Sequence, residues 1–224
     1  MASAADLPVK APVAAPAYSW TGCYIGGNLG GGWTHKEFHF RAEDEGTLNV
    51  GGFVGGGQVG CDYQFASNWL IGVQGMFDGT TIKGTDIDPT GDGDHYPTAL
   101  HWFATATARV GFLATPTLLL YAKGGAAWVD EKVDYNIGGP PISSSGNFTR
   151  SGWDAGGGLE WMFAPSWSAF VEYDHMDFGT KDVFLANVSG GGGFTETIKQ
   201  SVDKVLVGID YRFDWGKSPV VAKY

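Results

Sequence analysis

Charged residues interrupt the apolar, glycine-rich stretches of this sequence, and they are the residues with the clearest chemistry. Five of them lie in five successive stretches of this kind: Arg109, Lys123, Glu160, Glu172 and Arg212. Acids and bases that meet in a narrow interior pair with one another, so the pattern predicts a structural network of ion pairs. No nucleophile stands beside a base in the sequence, and we predict that the protein is not an enzyme.

The acidic segment "DIDPTGDGDHY" is a second group of residues that could do chemistry. Its four aspartates fall close together: Asp86, Asp88, Asp92 and Asp94. The spacing from Asp88 partly follows a calcium-binding EF-hand loop, but the twelfth position is Ala99 rather than Glu, and no helical pattern flanks it. We predict a solvated acidic loop, with an irregular Ca²⁺ or Mg²⁺ site shared with phosphates as the alternative.

Glycine and histidine motifs give weaker signals. Gly55-x-Gly57-x-x-Gly60 matches the dinucleotide-binding fingerprint, but the following residues continue a strand and no helical pattern appears. The histidines lack the spacing of metal ligands, so we predict neither a cofactor nor a metal. The alternative is contact with haem or a metal near the predicted loops, through His35, His39, His95 and His101.

Composition limits the class of protein that carries these residues. The 224 residues include 36 glycines and 14% aromatics, and because disordered chains are poor in aromatics, ordered β structure is favoured. The net charge is −10 and there is no basic run, which excludes a nucleic-acid partner. No stretch approaches the roughly 18 apolar residues of a spanning helix.

Apolar and other residues alternate strictly in eight segments, which predicts strands with two different environments on their faces. The segments are about 20–34, 51–65, 69–79, 100–113, 118–130, 151–163, 167–177 and 202–213. Short turns alternate with four longer polar loops, near 35–50, 80–98, 131–150 and 178–200. This order predicts an all-β fold, an eight-stranded antiparallel up-and-down transmembrane β-barrel with both termini on the side of the short turns.

The polarity of the two faces distinguishes a membrane barrel from a soluble one. One face is apolar, and the other holds Asn28, Gln58, Asp62, Gln64, Arg109, Lys123, Asp154, Glu160, Glu172, Asp174, Lys204, Asp210 and Arg212. Aromatic residues ten apart, such as Trp102 and Phe112, span roughly 25 Å along a tilted strand, the height of a lipid-facing band. We therefore expect lipid outside and charges inside. The predicted aromatic belts contain Trp20, Trp33, Trp69, Trp102, Trp128, Trp153, Trp161 and Trp167.

The two ends of the chain are predicted to lie outside the barrel. Ala2-Ser3-Ala4 has the form of a signal-peptide cleavage site, so we expect an exported protein whose leader was trimmed and replaced by Met1. Residues 1–19 are then a signal remnant and a Pro/Ala-rich periplasmic tether, 20–213 the barrel, and 214–224 a short periplasmic tail.

Several stretches resemble one protein family from about Trp20 to Tyr224. "WTGCYIGGNLGGGW", "GGGQVGCDYQFASNWLIGVQG", "GWDAGGGLEWMFAPSWSAFVEYDHMDFG" and "VLVGIDYRF" resemble the small porin-like outer-membrane β-barrel proteins of alphaproteobacteria. The resemblance implies an eight-stranded barrel in the outer membrane of a Gram-negative bacterium, in contact with lipid and lipopolysaccharide. Members are often abundant surface proteins with roles in envelope integrity, and some bind haem or serve as surface antigens.

The N-terminus resembles relatives whose mature chain begins Ala-Asp. In that group the terminal Ala is joined covalently to peptidoglycan by an L,D-transpeptidase, and the matching residues here are Ala5 and Asp6. The resemblance implies a covalent link to the cell wall, and the alternative is an unattached arm.

Cys23 and Cys61 depart from the family, whose members commonly have aromatics at these positions. The two cysteines fall roughly opposite each other on adjacent strands and share the outward face. Because an exported chain passes through an oxidising compartment, a cross-strand disulfide is one prediction. Two lipid-facing thiols are the other.

These expectations lead to three hypotheses of function. The first is a structural barrel that supports the envelope and ties the outer membrane to peptidoglycan, with a lumen filled by side chains. The second is a narrow, porin-like diffusion channel. The third is a receptor or adhesin that binds a ligand such as haem through the four long loops.

Overall fold

The computed structural model describes residues 18–40, 43–87, 95–134, 145–186 and 193–213, and its regular structure consists of β-strands. The strands are β1 (Gly22–Phe40), β2 (Glu43–Gln64), β3 (Trp69–Thr80), β4 (Lys83–Ile87), β5 (His95–Thr115), β6 (Leu118–Asp134), β7 (Ser145–Ala164), β8 (Trp167–Ala186) and β9 (Gly193–Phe213). No helix in the described ranges has the length and apolar character needed to cross a membrane.

The strands pair antiparallel in the order β3-β2-β1-β9-β8-β7-β6-β5-β4, and pairing between β3 and β5 closes the sheet. β4 continues the third strand of the barrel, because it pairs with β5 immediately beyond the β3 pairing. The interruption falls at Thr81 and Ile82, where the Thr81 amide donates to the Phe53 carbonyl at 2.9 Å and Ile82 turns into the core. The molecule is therefore an eight-stranded up-and-down barrel, as the sequence predicts.

Alternation places apolar side chains outside and polar side chains inside. Ile25, Phe53 and Val73 are each at least half exposed on the outer surface, although they are large and apolar. Asn28, Gln58 and the ionised residues of the lumen are buried. This arrangement reverses that of a soluble barrel and suits a surface surrounded by lipid.

Glycines allow the interior side chains to fit into a narrow cylinder. A Cβ atom at Gly30 would lie 1.9 Å from the Val205 carbonyl oxygen, and one at Gly26 would lie 2.0 Å from the Asp210 carboxylate. Neither position accepts a side chain without displacing the neighbouring strand or the lumen network. The glycine-rich start of the barrel is therefore a consequence of close packing inside it.

The strands on the loop side extend well beyond the predicted ones. β1 continues to Phe40 and β2 begins at Glu43, so most of the predicted loop at 35–50 is a β-ladder. The loops predicted at 80–98, 131–150 and 178–200 are likewise strand over most of their described residues. The prediction of long loops is wrong here because a ladder satisfies its backbone groups whatever its side chains are. The sequence of these segments is largely polar and lacks the sustained apolar alternation that would reveal a strand.

Two apolar clusters lie inside the barrel, one near each end. The loop-side cluster includes Phe103, Phe170 and Phe178, and the turn-side cluster includes Trp20, Leu70, Leu113, Leu119, Tyr121 and Met162. The buried charged side chains of the lumen pack against both clusters; Lys123 and Lys204, for example, lie beside Met76 of the loop-side cluster.

Candidate functional site

The turn-side half of the lumen holds a closed ring of two arginines and two carboxylates, here named the turn-side ion cluster. Arg109 donates from Nε to Asp62 Oδ1 at 2.8 Å, makes a second bond to Oδ2, and donates from Nη1 to Glu160 Oε2 at 3.1 Å. Arg212 donates from Nη1 to Asp62 Oδ2 at 2.8 Å and from Nη2 to Glu160 Oε1 at 2.7 Å. Each carboxylate therefore binds both guanidinium groups, and all four side chains are buried.

Aromatic rings enclose the turn-side ion cluster. The Tyr24 ring lies 4.8 Å from the Arg109 guanidinium carbon and 4.9 Å from that of Arg212. Tyr121 contacts Arg109 at 5.1 Å, and Trp20 contacts Arg212 at 4.7 Å. A guanidinium group over an aromatic face is stabilised by the charge distribution of the ring.

Trp20 corrects a prediction, because it does not belong to an aromatic belt. Its side chain is 1% exposed, and its Nε1 donates to the Pro116 carbonyl at 3.0 Å. Its own carbonyl accepts from Arg212 Nη1 at 3.3 Å. Trp20 precedes β1, so strand alternation does not apply to it, and the chain turns its ring into the mouth of the barrel.

A second network, the mid-lumen ion cluster, lies farther toward the loop side. Lys123 Nζ lies 2.6 Å from Glu172 Oε1, 2.9 Å from Asp174 Oδ1 and 3.9 Å from Asp154 Oδ2. Lys204 Nζ lies 2.8 Å from Asp78 Oδ2 and 3.4 Å from Asp174 Oδ2. Asp174 thus connects the two lysines. The side chains in these pairs are at most 1% exposed.

The five charged residues singled out in the sequence fall into these two clusters. Arg109, Glu160 and Arg212 belong to the turn-side ion cluster, whereas Lys123 and Glu172 belong to the mid-lumen ion cluster. Asp78 was missed, although Phe77 and the other apolar residues of β3 face outward and thereby place Asp78 inside.

Seven of the eight predicted belt tryptophans lie on the outer face. Trp33, Trp69, Trp153, Trp161 and Trp167 are exposed, and Trp102 and Trp128 are partly exposed. Cross-strand contacts hold them in place, with ring centroids 5.3 Å apart for Trp69 and Phe112 and 5.1 Å apart for Trp167 and Tyr211.

Cys23 and Cys61 are direct partners in the β1–β2 ladder, and their sulfur atoms are bonded. Both side chains lie on the outer face, as the alternation of β1 and β2 indicates. The structure therefore contains the cross-strand disulfide, one of the two states that the sequence left open.

An outward-facing polar group near the loop side was missed by the sequence reasoning. Asp203 accepts from the Tyr173 hydroxyl at 2.5 Å, and its Oδ1 lies 2.8 Å from His175 Nδ1. His35 Nε2 lies 3.8 Å from Asp203 Oδ2. His35 lies on β1, Tyr173 and His175 lie on β8, and Asp203 lies on β9. Only the register across these three strands brings them together.

Some predicted site residues cannot be placed in this geometry. Ala5, Asp6, Asp88, Asp92 and Asp94 lie outside the described residues, and Asp86 is described only as part of β4. Among the residues that the structure describes, no three or more His, Cys, Asp or Glu side chains are arranged to hold a metal ion.

Comparison with known proteins gives concordant matches. The family model for the outer membrane protein beta-barrel domain matches residues 2–213. The 31 kDa outer-membrane immunogenic protein of Brucella melitensis is 34% identical over 229 aligned residues, which cover 95% of this chain and 93% of that protein. The 22 kDa outer membrane protein of Rhizobium leguminosarum is 29% identical, with 94% and 83% covered. The solved structure of OprG from Pseudomonas aeruginosa is 12% identical, with a TM-score of 0.49 and 89% and 99% covered.

Proposed function

This chain belongs to the outer membrane protein beta-barrel domain family and lies in the outer membrane of a Gram-negative bacterium, and from that premise we propose that it is a structural protein of the cell envelope. In this proposal the barrel is a membrane anchor, and the N-terminal arm joins it to peptidoglycan through Ala5. Lipid and lipopolysaccharide surround the outer face.

The filled lumen is the observation that carries the proposal. The turn-side and mid-lumen ion clusters and the two apolar clusters are packed together inside the barrel. An ion that crossed the lumen would have to separate buried, hydrogen-bonded pairs, which is costly. A permanently filled barrel suits an anchor better than the alternative of a narrow diffusion channel. We expect no reproducible single-channel conductance in planar bilayers.

The attachment of the arm to the barrel supports a mechanical role. Trp20 lies two residues before the start of β1. Its ring donates a hydrogen bond to Pro116, and its carbonyl accepts one from Arg212. The arm therefore starts at the turn-side mouth, which faces the periplasm in barrels of this class. A pull on the arm would reach the turn-side ion cluster directly through the contact between Trp20 and Arg212.

Peptide mapping of the cell wall tests the proposed link. Sacculi are purified, digested with lysozyme, and searched by mass spectrometry for N-terminal peptides that carry a peptidoglycan fragment. We expect the fragment on Ala5, and we expect it to disappear in a strain without L,D-transpeptidases. Lys10 offers an internal control, since its amine lies in the same arm and should carry nothing. Sacculi with no peptide linked at Ala5 would contradict the attachment.

The loop-side end supports a second candidate role as a surface antigen. The Brucella relatives are named immunogenic outer-membrane proteins, and here the strands continue past the aromatic belt on the loop side. We expect antibodies raised against the folded protein to label intact cells. Labelling only after permeabilisation would contradict this role.

A further inference from the structure

The disulfide between Cys23 and Cys61 lies on the part of the surface that faces lipid. Besides each other, Cys23 is paired with Phe213 of β9 and Cys61 with Val73 of β3. Ile25 is 50% exposed on the outer face of β1, and the same face of β2 carries exposed apolar residues on both sides of Cys61. The two sulfur atoms therefore lie on the lipid-facing side of the barrel wall, near the turn-side end of β1 and β2.

This location restricts when the bond can form. Thiol–disulfide exchange proceeds by attack of a thiolate on a disulfide sulfur, and a thiolate is far better stabilised in water than in hydrocarbon. A soluble protein oxidant also cannot reach sulfur atoms that face acyl chains. The bond must therefore form while the chain is still in water, and the periplasm is the aqueous oxidising compartment on its route.

The two strands that the bond joins are rich in glycine. Six of the 19 residues of β1 and seven of the 22 residues of β2 are glycine. Glycine-rich strands are prone to slippage, and a slip by one residue would turn the lipid-facing side chains of a strand into the lumen. A covalent link between directly opposed residues removes that freedom.

We infer that a soluble periplasmic thiol–disulfide oxidoreductase is a partner of this chain, and that it makes the Cys23–Cys61 bond before the barrel inserts. One cysteine thiolate attacks the disulfide of the oxidant, which forms a mixed disulfide and releases one thiolate of the oxidant. The second cysteine thiolate attacks the sulfur of the first, which releases the oxidant. The two cysteines are oxidised by two electrons, and the oxidant leaves as a dithiol with the two protons. The β1–β2 hairpin then enters the membrane with its register fixed.

Accessibility before and after insertion tests the timing. The reduced chain is treated with an oxidised thioredoxin-fold oxidant, once in urea and once after folding into phosphatidylcholine vesicles, and alkylation of free thiols is followed by mass spectrometry. We expect oxidation in urea and loss of oxidation in vesicles. Equal rates in the two states would overturn the inference. If the reduced chain does not insert, the oxidised chain is inserted and treated with dithiothreitol, and reduction as fast as in urea is the contradicting result.

Insertion kinetics test the effect on register. The oxidised chain is compared with the reduced chain and with a double variant, Cys23→Ser with Cys61→Ser, during folding into the same vesicles. We expect the oxidised chain to insert faster than both of the others, and the reduced chain to match the double variant. Insertion of the double variant as fast as the oxidised chain would overturn the role of the bond in fixing register.

In cells, the oxidation state of the newly exported chain identifies the compartment. Pulse-labelled cells are treated with an alkylating agent, and the chain is recovered separately from the soluble periplasm and from the outer membrane. We expect the bond already in the periplasmic fraction, and we expect its loss there in a strain without the periplasmic oxidant. A periplasmic chain with both thiols free, followed by an oxidised chain in the membrane, would refute the order of events.

Discussion

The two ion clusters of the lumen solve the same problem in different ways. In the turn-side ion cluster two arginines face two carboxylates, and each of the four carboxylate oxygens accepts a hydrogen bond. In the mid-lumen ion cluster two lysines face four carboxylates, and the oxygens of Asp154 have no hydrogen-bond partner among the described residues. In the first cluster the charges balance and every carboxylate oxygen is hydrogen-bonded, whereas in the second cluster neither is true.

The difference follows from the chemistry of the two basic side chains. A guanidinium group presents donors in a planar fork that binds two carboxylates at once, and it also stacks on aromatic rings. An ammonium group is a point charge with three donors and no plane. The turn-side ion cluster therefore depends on geometry and the mid-lumen ion cluster mainly on charge, and substitutions should separate the two properties.

Removal of a guanidinium group should have the largest effect. Arg109→Met leaves Asp62 and Glu160 each with one partner fewer in a buried site, and we expect the free energy of unfolding to fall by about 3–5 kcal/mol. Urea unfolding in lipid vesicles, followed by tryptophan fluorescence, measures the change. Lys83→Met removes a charge from an exposed side chain and serves as the matched control. A fall no larger than that of the control would show that the ring of ion pairs contributes little.

Arg109→Lys keeps the charge and removes the fork, so it tests geometry alone. A lysine cannot bond both Asp62 oxygens and Glu160 in the observed arrangement, and we expect a loss of about 1.5–3 kcal/mol from the missing charge-assisted hydrogen bonds. The reciprocal change is Lys123→Arg. Lys123 binds its carboxylates through a single ammonium group, so this change removes no bidentate hydrogen bonds. If Arg109→Lys unfolds at the same urea concentration as the unmodified protein, charge and not geometry holds the turn-side ion cluster.

Trp20→Phe should have a smaller effect on the same cluster. Phenylalanine retains a ring beside Arg212 but cannot donate to the Pro116 carbonyl, and one neutral hydrogen bond contributes about 1 kcal/mol. The measurement is again urea unfolding in vesicles, with Trp69→Phe on the lipid-facing surface as the control that removes an indole without removing this bond. Equal effects of the two substitutions would indicate that the bond to Pro116 adds no stability.

The sequence predicts the barrel and its lumen well where both faces of a strand have contrasting surroundings. Within the lipid band, period-two alternation assigns Arg109 and Glu160 to the interior and Trp69 and Trp161 to the surface without knowledge of the partners. Alternation also contains the signal for Asp78, because the adjacent Phe77 faces outward.

The sequence is uninformative where alternation ends or where register decides. Trp20 lies before the first strand, so its inward direction depends on the fold of the mouth and not on parity. The polar group of Tyr173, His175 and Asp203 requires the relative position of β8 and β9, which no single strand encodes. The extended loop-side strands have a largely polar sequence without sustained apolar alternation, so they carry no periodic signal.

Asp154→Asn should have the smallest effect, and it separates the clusters most clearly. Lys123 Nζ lies 3.9 Å from the Asp154 carboxylate, which is beyond hydrogen-bond distance. Neither Asp154 oxygen accepts a hydrogen bond from a described residue. Since the cluster has more carboxylates than lysines, removal of this charge also relieves repulsion from Glu172 and Asp174. We expect a change of less than about 0.5 kcal/mol, or a slight gain, because the substitution removes one long ion pair and breaks no hydrogen bond. The same isosteric change in the balanced cluster, Asp62→Asn, should instead cost about 3–5 kcal/mol because it removes one partner of two buried guanidinium groups. Similar losses for the two variants, measured by urea unfolding in vesicles, would show that the clusters do not differ in the way their geometry indicates.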